Sequence, residues 1–159
     1  MTTDSEPLAA PFRRTFHVGW GDMDFNGHMK NTAYLDRAAD VRLMFFESRG
    51  FSVREFARLR VGPVIQREEL EYFRELHLLQ TVDVTLLVAG LSADGSRYRL
   101  RNEFFGDGGK KTATVTSTGG WLDHAARRLV LPPEEVARAM YGLTKTADFT
   151  ELPSSVADG

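Results

Sequence analysis

The stretch Trp20-Gly21-Asp22-Met23-Asp24-Phe25-Asn26-Gly27-His28, with a run of helical periodicity starting at Asn31, decides how this chain is read. Two carboxylates, an amide and an imidazole fall between Asp22 and His28. Gly21 and Gly27 let the backbone turn sharply enough to gather them in one corner. The helix that follows offers the free N–H groups of its first turn, and its dipole places partial positive charge at the same corner. A carboxylate beside a helix start suits attack on a polarised carbonyl.

Before this loop, Phe12, Arg14, Phe16, Val18 and Trp20 alternate with Arg13, Thr15, His17 and Gly19, which predicts a strand over 12–20. After it, Tyr34, Ala38, Val41 and Phe45 recur at helical spacing, with Leu35 and Phe46 widening the stripe, so residues 31–49 form a helix. Asn31 or Thr32 supplies its N-cap and Gly50 its C′ residue. So bulky a stripe needs a sheet to cover it.

Residues 51–60 read as a short amphipathic helix or turn. Strands follow at 63–73, interrupted by Arg67, Glu68 and Glu69, and at 81–89, where Val82, Val84, Leu86 and Val88 alternate with Asp83, Thr85 and Leu87. Two more lie at 97–105 and 111–122, after the turns Asp94-Gly95 and Gly106–Gly109. Pro132-Pro133 opens a short helix to about Tyr141. Consecutive strands with short links pair antiparallel, so the fold class is α+β: one antiparallel sheet of about five strands wrapped around one long central helix. A single domain over 1–159 is expected, with a core at about 12–142 and flexible tails at 1–11 and 144–159.

Composition narrows the function classes. The chain has 159 residues, 42% of them hydrophobic, with 20 basic and 22 acidic side chains for a net charge of −2. That balance argues against nucleic-acid and anionic-membrane partners. The absence of cysteine excludes disulfides, thiolate metal sites and cysteine nucleophiles, and fits a cytoplasmic location. Residues 1–11 lack the basic and apolar regions of a signal peptide, and no apolar run approaches the roughly 18 residues of a membrane span.

The element order and the loop together resemble the hotdog-fold thioesterases, in the branch of the 4-hydroxybenzoyl-CoA and acyl-CoA thioesterases. There a strand ends in an Asp-x-Asp-x-x-Gly-[His/Ile]-[Val/Met] loop, and a Tyr follows on the central helix. Here the loop stands as Asp22-Met23-Asp24-Phe25-Asn26-Gly27-His28-Met29, with Tyr34. The resemblance implies hydrolysis of an acyl-CoA to a carboxylic acid and free coenzyme A. Asp24 would be the catalytic carboxylate, as nucleophile or general base, and the Asn31 N–H would polarise the carbonyl. His28 would assist, and Gly27, Met29 and Tyr34 would shape the substrate site. It implies no metal and no cofactor beyond the coenzyme A of the substrate. It also implies a homodimer or homotetramer with sites at the subunit interface. One departure is the turn His77-Leu78-Leu79-Gln80, where the family commonly has a Gly-Asp pair. Lys30 stands where many members carry a neutral or apolar residue. Some members place the essential carboxylate further along the helix, where Asp36, Asp40 and Glu47 are available.

Other readings compete for these residues. Asp24 alone is a common type of turn aspartate, bonding its own backbone, and Asp22 reads best as structural. His28 is equally a histidine bonded to a loop carbonyl, and Tyr34 at this spacing is equally a core residue. Asp22-x-Asp24-x-Asn26-Gly27 matches the first half of a calcium loop, but the ninth position is Lys30 and the twelfth is Ala33 in place of a bidentate glutamate. Arg97, Arg99 and Arg101 form either a solvated sheet face or a cradle for coenzyme A phosphates. Trp20 and Trp121 read as core or interface residues. The rival functions are a hotdog enoyl-thioester hydratase or dehydratase and a non-catalytic acyl-CoA-binding module.

Overall fold

The computed structural model describes residues 10–156. In chain order these form β1 (Phe12–His17), α1 (Asn31–Ser48), α2 (Val53–Leu59), β2 (Val61–Tyr72), β3 (Thr81–Ser92), β4 (Tyr98–Phe105), β5 (Lys111–Asp123), β6 (Arg128–Val130), α3 (Glu134–Tyr141) and β7 (Lys145–Leu152). The main path of the sheet runs β1-β3-β4-β5-β2, all antiparallel, with β6 added to β5 and β7 to β3. This is the hotdog arrangement, a sheet wrapped around α1.

The core follows from the two periodicities. From α1, Ala33, Tyr34, Ala38, Val41, Phe45 and Phe46 are buried. From the sheet, Val82, Val84, Leu86 and Val88 of β3 and Leu100 and Phe104 of β4 meet them, each at most 1% exposed. Phe46, Phe56, Tyr98 and Trp121 pack ring against ring beneath the C-terminal half of the helix. The helix ends in a Schellman motif: Gly50, at φ +88, donates to the Glu47 carbonyl, and Phe51 donates to that of Phe46.

Several expectations are corrected. The strand 12–20 stops at His17, and Trp20 begins a single 3-10 turn, Trp20–Asp22, where it is 83% exposed. The N-cap of α1 is Lys30, with extended backbone and no capping side chain, so Asn31 is the first helical residue. Most of the expected tail 1–11 lies outside the described residues. At the other end, 145–152 is a strand, pairing parallel to the half of β3 that β1 leaves free. Its pattern hid this, because β7 lies at a sheet edge and buries only Leu152 fully.

The outer-face arginines hold this C-terminal segment. Arg101 makes two hydrogen bonds to Asp148 (2.9 and 3.1 Å), and Arg97 donates to Ser155 Oγ (3.2 Å). Asp94, at the β3–β4 turn, accepts from Ser92, Ser96 and Ser154. Burial alone would raise its pKa, but these bonds together hold it well below the ordinary carboxylate value. Charged side chains that the sequence leaves open to phosphate thus serve to fasten the last strand.

A candidate active site at the start of the central helix

Backbone hydrogen bonds fold the quoted loop into a miniature hairpin. Met23 and Met29 form an antiparallel bridge, Asp24 N–H donates to the His28 carbonyl (2.8 Å), and Lys30 N–H donates to that of Asp22 (2.8 Å). Gly27 closes the tip at φ +85. The chain therefore leaves β1, doubles back once and enters α1 with Asp24, His28 and Asn31 near the same mouth.

The two aspartates have different work. Asp22 Oδ2 accepts the Gly19 N–H (2.8 Å) and pairs with Arg37 of α1 (3.3 Å), which ties the loop to the helix. Asp24 Oδ1 accepts the N–H groups of Asn26 (2.9 Å) and His28 (3.1 Å). That is the turn-aspartate geometry, yet it uses only one carboxylate oxygen, and Asp24 also lines the cleft. Asp22, the first residue of the calcium-like stretch, is instead paired with Arg37. Among the described residues no group of three His, Asp or Glu is arranged to hold a metal ion.

The cleft has a volume of about 570 Å³ and is lined by Asp24, His28, Met29, Asn31 and Tyr34 on one side and by Tyr72, Phe73, Arg74 and Glu75 on the other. It brings together five of the six residues singled out from the sequence; Gly27 stays at the hairpin tip, away from the wall. Asn31 is the first residue of α1, so its N–H is one of the four that a helix leaves without an internal partner. Tyr34 is 1% exposed and stands edge-on to Tyr72 (5.5 Å) and Phe104 (5.1 Å). Burial, and next the neighbouring Tyr72, push its hydroxyl up to about 12, so it stays protonated through the physiological range. His28 Nε2 lies 3.0 Å from Glu75 Oε2, and the His28 ring meets that of His77 edge-on at 5.5 Å. Tyr72, Phe73, Arg74 and Glu75 carry no motif. Only the folding of the end of β2 back against the loop, through Met29 N–H to the Leu76 carbonyl (2.8 Å), brings them here.

The arrangement can place an anionic oxygen on one side of a carbonyl and helix N–H donors on the other. Residues 18–140 match the family model of the thioesterase-like superfamily, and the chain belongs to that family. No curated protein matches it. Solved structures show the same fold. A Staphylococcus aureus protein solved in complex with CoA is 24% identical, with 94% of each chain covered and a TM-score of 0.76. A 1,4-dihydroxy-2-naphthoyl-CoA thioesterase from Synechocystis is 14% identical over 83% of this chain and 96% of that one, with a TM-score of 0.74. A gentisyl-coenzyme A thioesterase is 20% identical over 80% and 98%, with a TM-score of 0.72.

Proposed function

We propose that this chain is an acyl-CoA thioesterase, hydrolysing an acyl thioester to a carboxylic acid and free coenzyme A. The observation that carries the proposal is the shared cleft of the Asp24 carboxylate and the N-terminus of α1. A thioester carbonyl laid over Asn31 meets the free N–H and the positive end of the helix dipole, which stabilise the oxyanion that develops on attack. Asp24, held by two backbone N–H groups on one oxygen, keeps the other for the reacting centre. It acts either by attacking the carbonyl carbon or by taking the proton of an attacking water. Tyr34, Tyr72 and Phe73 supply apolar and aromatic surface for the acyl group. That three similar structures were solved as CoA thioesterases or with CoA bound supports coenzyme A as the thiol carrier.

Two features favour a homo-oligomer. Strand β2 is an edge of the sheet and presents a row of unpaired backbone groups. On the wall of the cleft Tyr72 and Phe73 are each 54% exposed, and Phe25, next to Asp24 in the hairpin, is 100% exposed. A second copy seated there would cover apolar surface and complete the acyl pocket.

The test is free-thiol release from short, long and aromatic acyl-CoAs by the native protein and by Asp24→Asn. The amide keeps the oxygen that accepts from Asn26 and His28, so the loop survives while the base is lost. Activity should fall at least about 100-fold, equivalent to about 2.7 kcal/mol of transition-state stabilisation. Full activity in Asp24→Asn would move the carboxylate to Asp36, Asp40 or Glu47. No release from any thioester, with tight acyl-CoA binding, would leave a binding module.

A further inference from the structure

Glu75 belongs to no motif, yet it is the carboxylate that meets the imidazole of the cleft. Its Oε2 lies 3.0 Å from His28 Nε2, and both side chains line the cavity that also holds Asp24 and Asn31. The pair is set by backbone. Met29 N–H donates to the Leu76 carbonyl (2.8 Å), which holds the segment carrying Glu75 against the loop within reach of His28. Leu76 is fully buried and Met29 is 5% exposed, which anchors both strands of this contact in the core. His77, whose N–H donates to Gln80 Oε1 (3.0 Å), puts its ring edge-on against His28. The imidazole is thus bounded by the Glu75 carboxylate, the His77 ring and the Asp24 turn.

We propose that Glu75 is a positioning residue: it fixes the orientation and tautomer of His28, so that Nε2 carries the proton and Nδ1 presents its lone pair to the reaction. The kinetic consequence rests on the thioesterase reading; the tautomer does not. A neutral imidazole has one N–H, and a carboxylate on one nitrogen decides which nitrogen keeps it. The Glu75 side chain is 61% exposed, so the contact adds little stability. Its worth lies in orientation. The other charged or titratable groups at this cleft are Asp24 from the loop, Arg74 and His77 from the segment after β2, Tyr34 from α1 and Tyr72 from β2.

In the water-mediated route, one hydrogen of the attacking water is held by His28 Nδ1 and the other by Asp24. The water oxygen bonds to the carbonyl carbon as its proton passes to the Asp24 carboxylate. The oxyanion collapses, the C–S bond breaks and the electron pair leaves on sulfur. Asp24 then returns its proton to the thiolate, and His28 ends as it began.

The experiment pairs nitrogen-15 spectra of the histidine rings with steady-state kinetics, for the native protein, Glu75→Leu and Glu75→Gln. In the native protein His28 should show a protonated Nε2. Glu75→Leu should mix the tautomers and lower kcat by roughly 10-fold with KM nearly unchanged, the low end of the roughly 10- to 100-fold lost when the carboxylate behind a metal-bound histidine is removed. Glu75→Gln keeps an accepting oxygen and should recover most of both signals. An unaltered His28 spectrum in Glu75→Leu overturns the proposal, and so does a rise confined to KM, which would make Glu75 a substrate contact. If the native protein hydrolyses no thioester, the thioesterase reading fails, while the spectra still decide what Glu75 does to His28.

Discussion

Replacing Leu79 by glycine should stabilise this protein. Leu79 sits at φ +68 in the turn His77–Gln80, which is closed by Gln80 N–H donating to the His77 carbonyl (3.1 Å). It occupies the third turn position, where positive φ normally calls for Gly or Asn. The backbone has no freedom to relax, because the Leu79 N–H is bonded to the Val18 carbonyl (2.8 Å) at the end of β1. For a residue with a β-carbon this conformation costs about 1–2 kcal/mol. Glycine removes that cost and brings back about 0.5–1 kcal/mol through the greater freedom of its unfolded chain. Leu79 is 73% exposed, so little burial is lost. Taking the middle of each range, the balance is a gain of about 0.75 kcal/mol, and at about 2–4 °C per kcal/mol for a chain of this length Tm should rise by about 1.5–3 °C. Thermal denaturation of the native protein, Leu79→Gly and Leu79→Ala measures it. Alanine keeps the β-carbon and the strain, so it should melt close to the native protein. A lower Tm for Leu79→Gly, or an equal gain for Leu79→Ala, would refute the assignment of strain to this turn.

Three further outcomes are expected. Gly27→Ala should lose about 1 kcal/mol, because φ +85 strains any β-carbon although a methyl there would meet no atom within 4 Å; Gly27→Asn should lose less, and melting curves of both separate conformational strain from crowding. Arg42, a buried cation of α1, donates to Ser117 (3.0 Å) and lies 3.8 Å from Glu68, while burial lowers its pKa. Arg42→Met should therefore cost about 2 kcal/mol in urea unfolding, and Arg42→Met with Glu68→Leu should recover most of it; simple additivity would contradict a shared network. Asp94→Asn should lower Tm near neutral pH by loosening β7 and the residues after it. The native Asp94 pKa is depressed, so its stabilisation is present above the ordinary carboxylate value and fades as pH falls towards the folded one; melts of the two proteins should converge in strong acid, and a gap that widens there would show the sign to be wrong.

The candidate site was legible where chemistry and backbone shape share one short segment. Asp24, His28 and Asn31 lie within eight residues, the hairpin that gathers them needs only local turns, and the helix that follows has an unambiguous stripe. The opposite wall was not legible. Tyr72, Phe73, Arg74 and Glu75 look like the ragged end of an irregular strand until β2 is laid along β5 and its end is pinned to the loop. Trp20 misled because alternation continues for two residues past His17, while the backbone has already turned; a pattern of period two carries no information about where a strand stops.

By itself the sequence determined the antiparallel sheet around one helix, because hydrophobic periodicity and turn residues are local properties of the chain. It also placed Asp24, His28 and the start of a helix in one short segment. Only the tertiary structure decided that 145–152 is a strand, since an edge strand buries one residue and borrows its order from β3. Only it decided that Arg97 and Arg101 are occupied by the C-terminal segment, that Asp22 serves Arg37, and that Glu75 stands behind His28. Those are contacts between residues far apart in the chain. The sequence lists the partners, but packing fixes the distances at which charges pair.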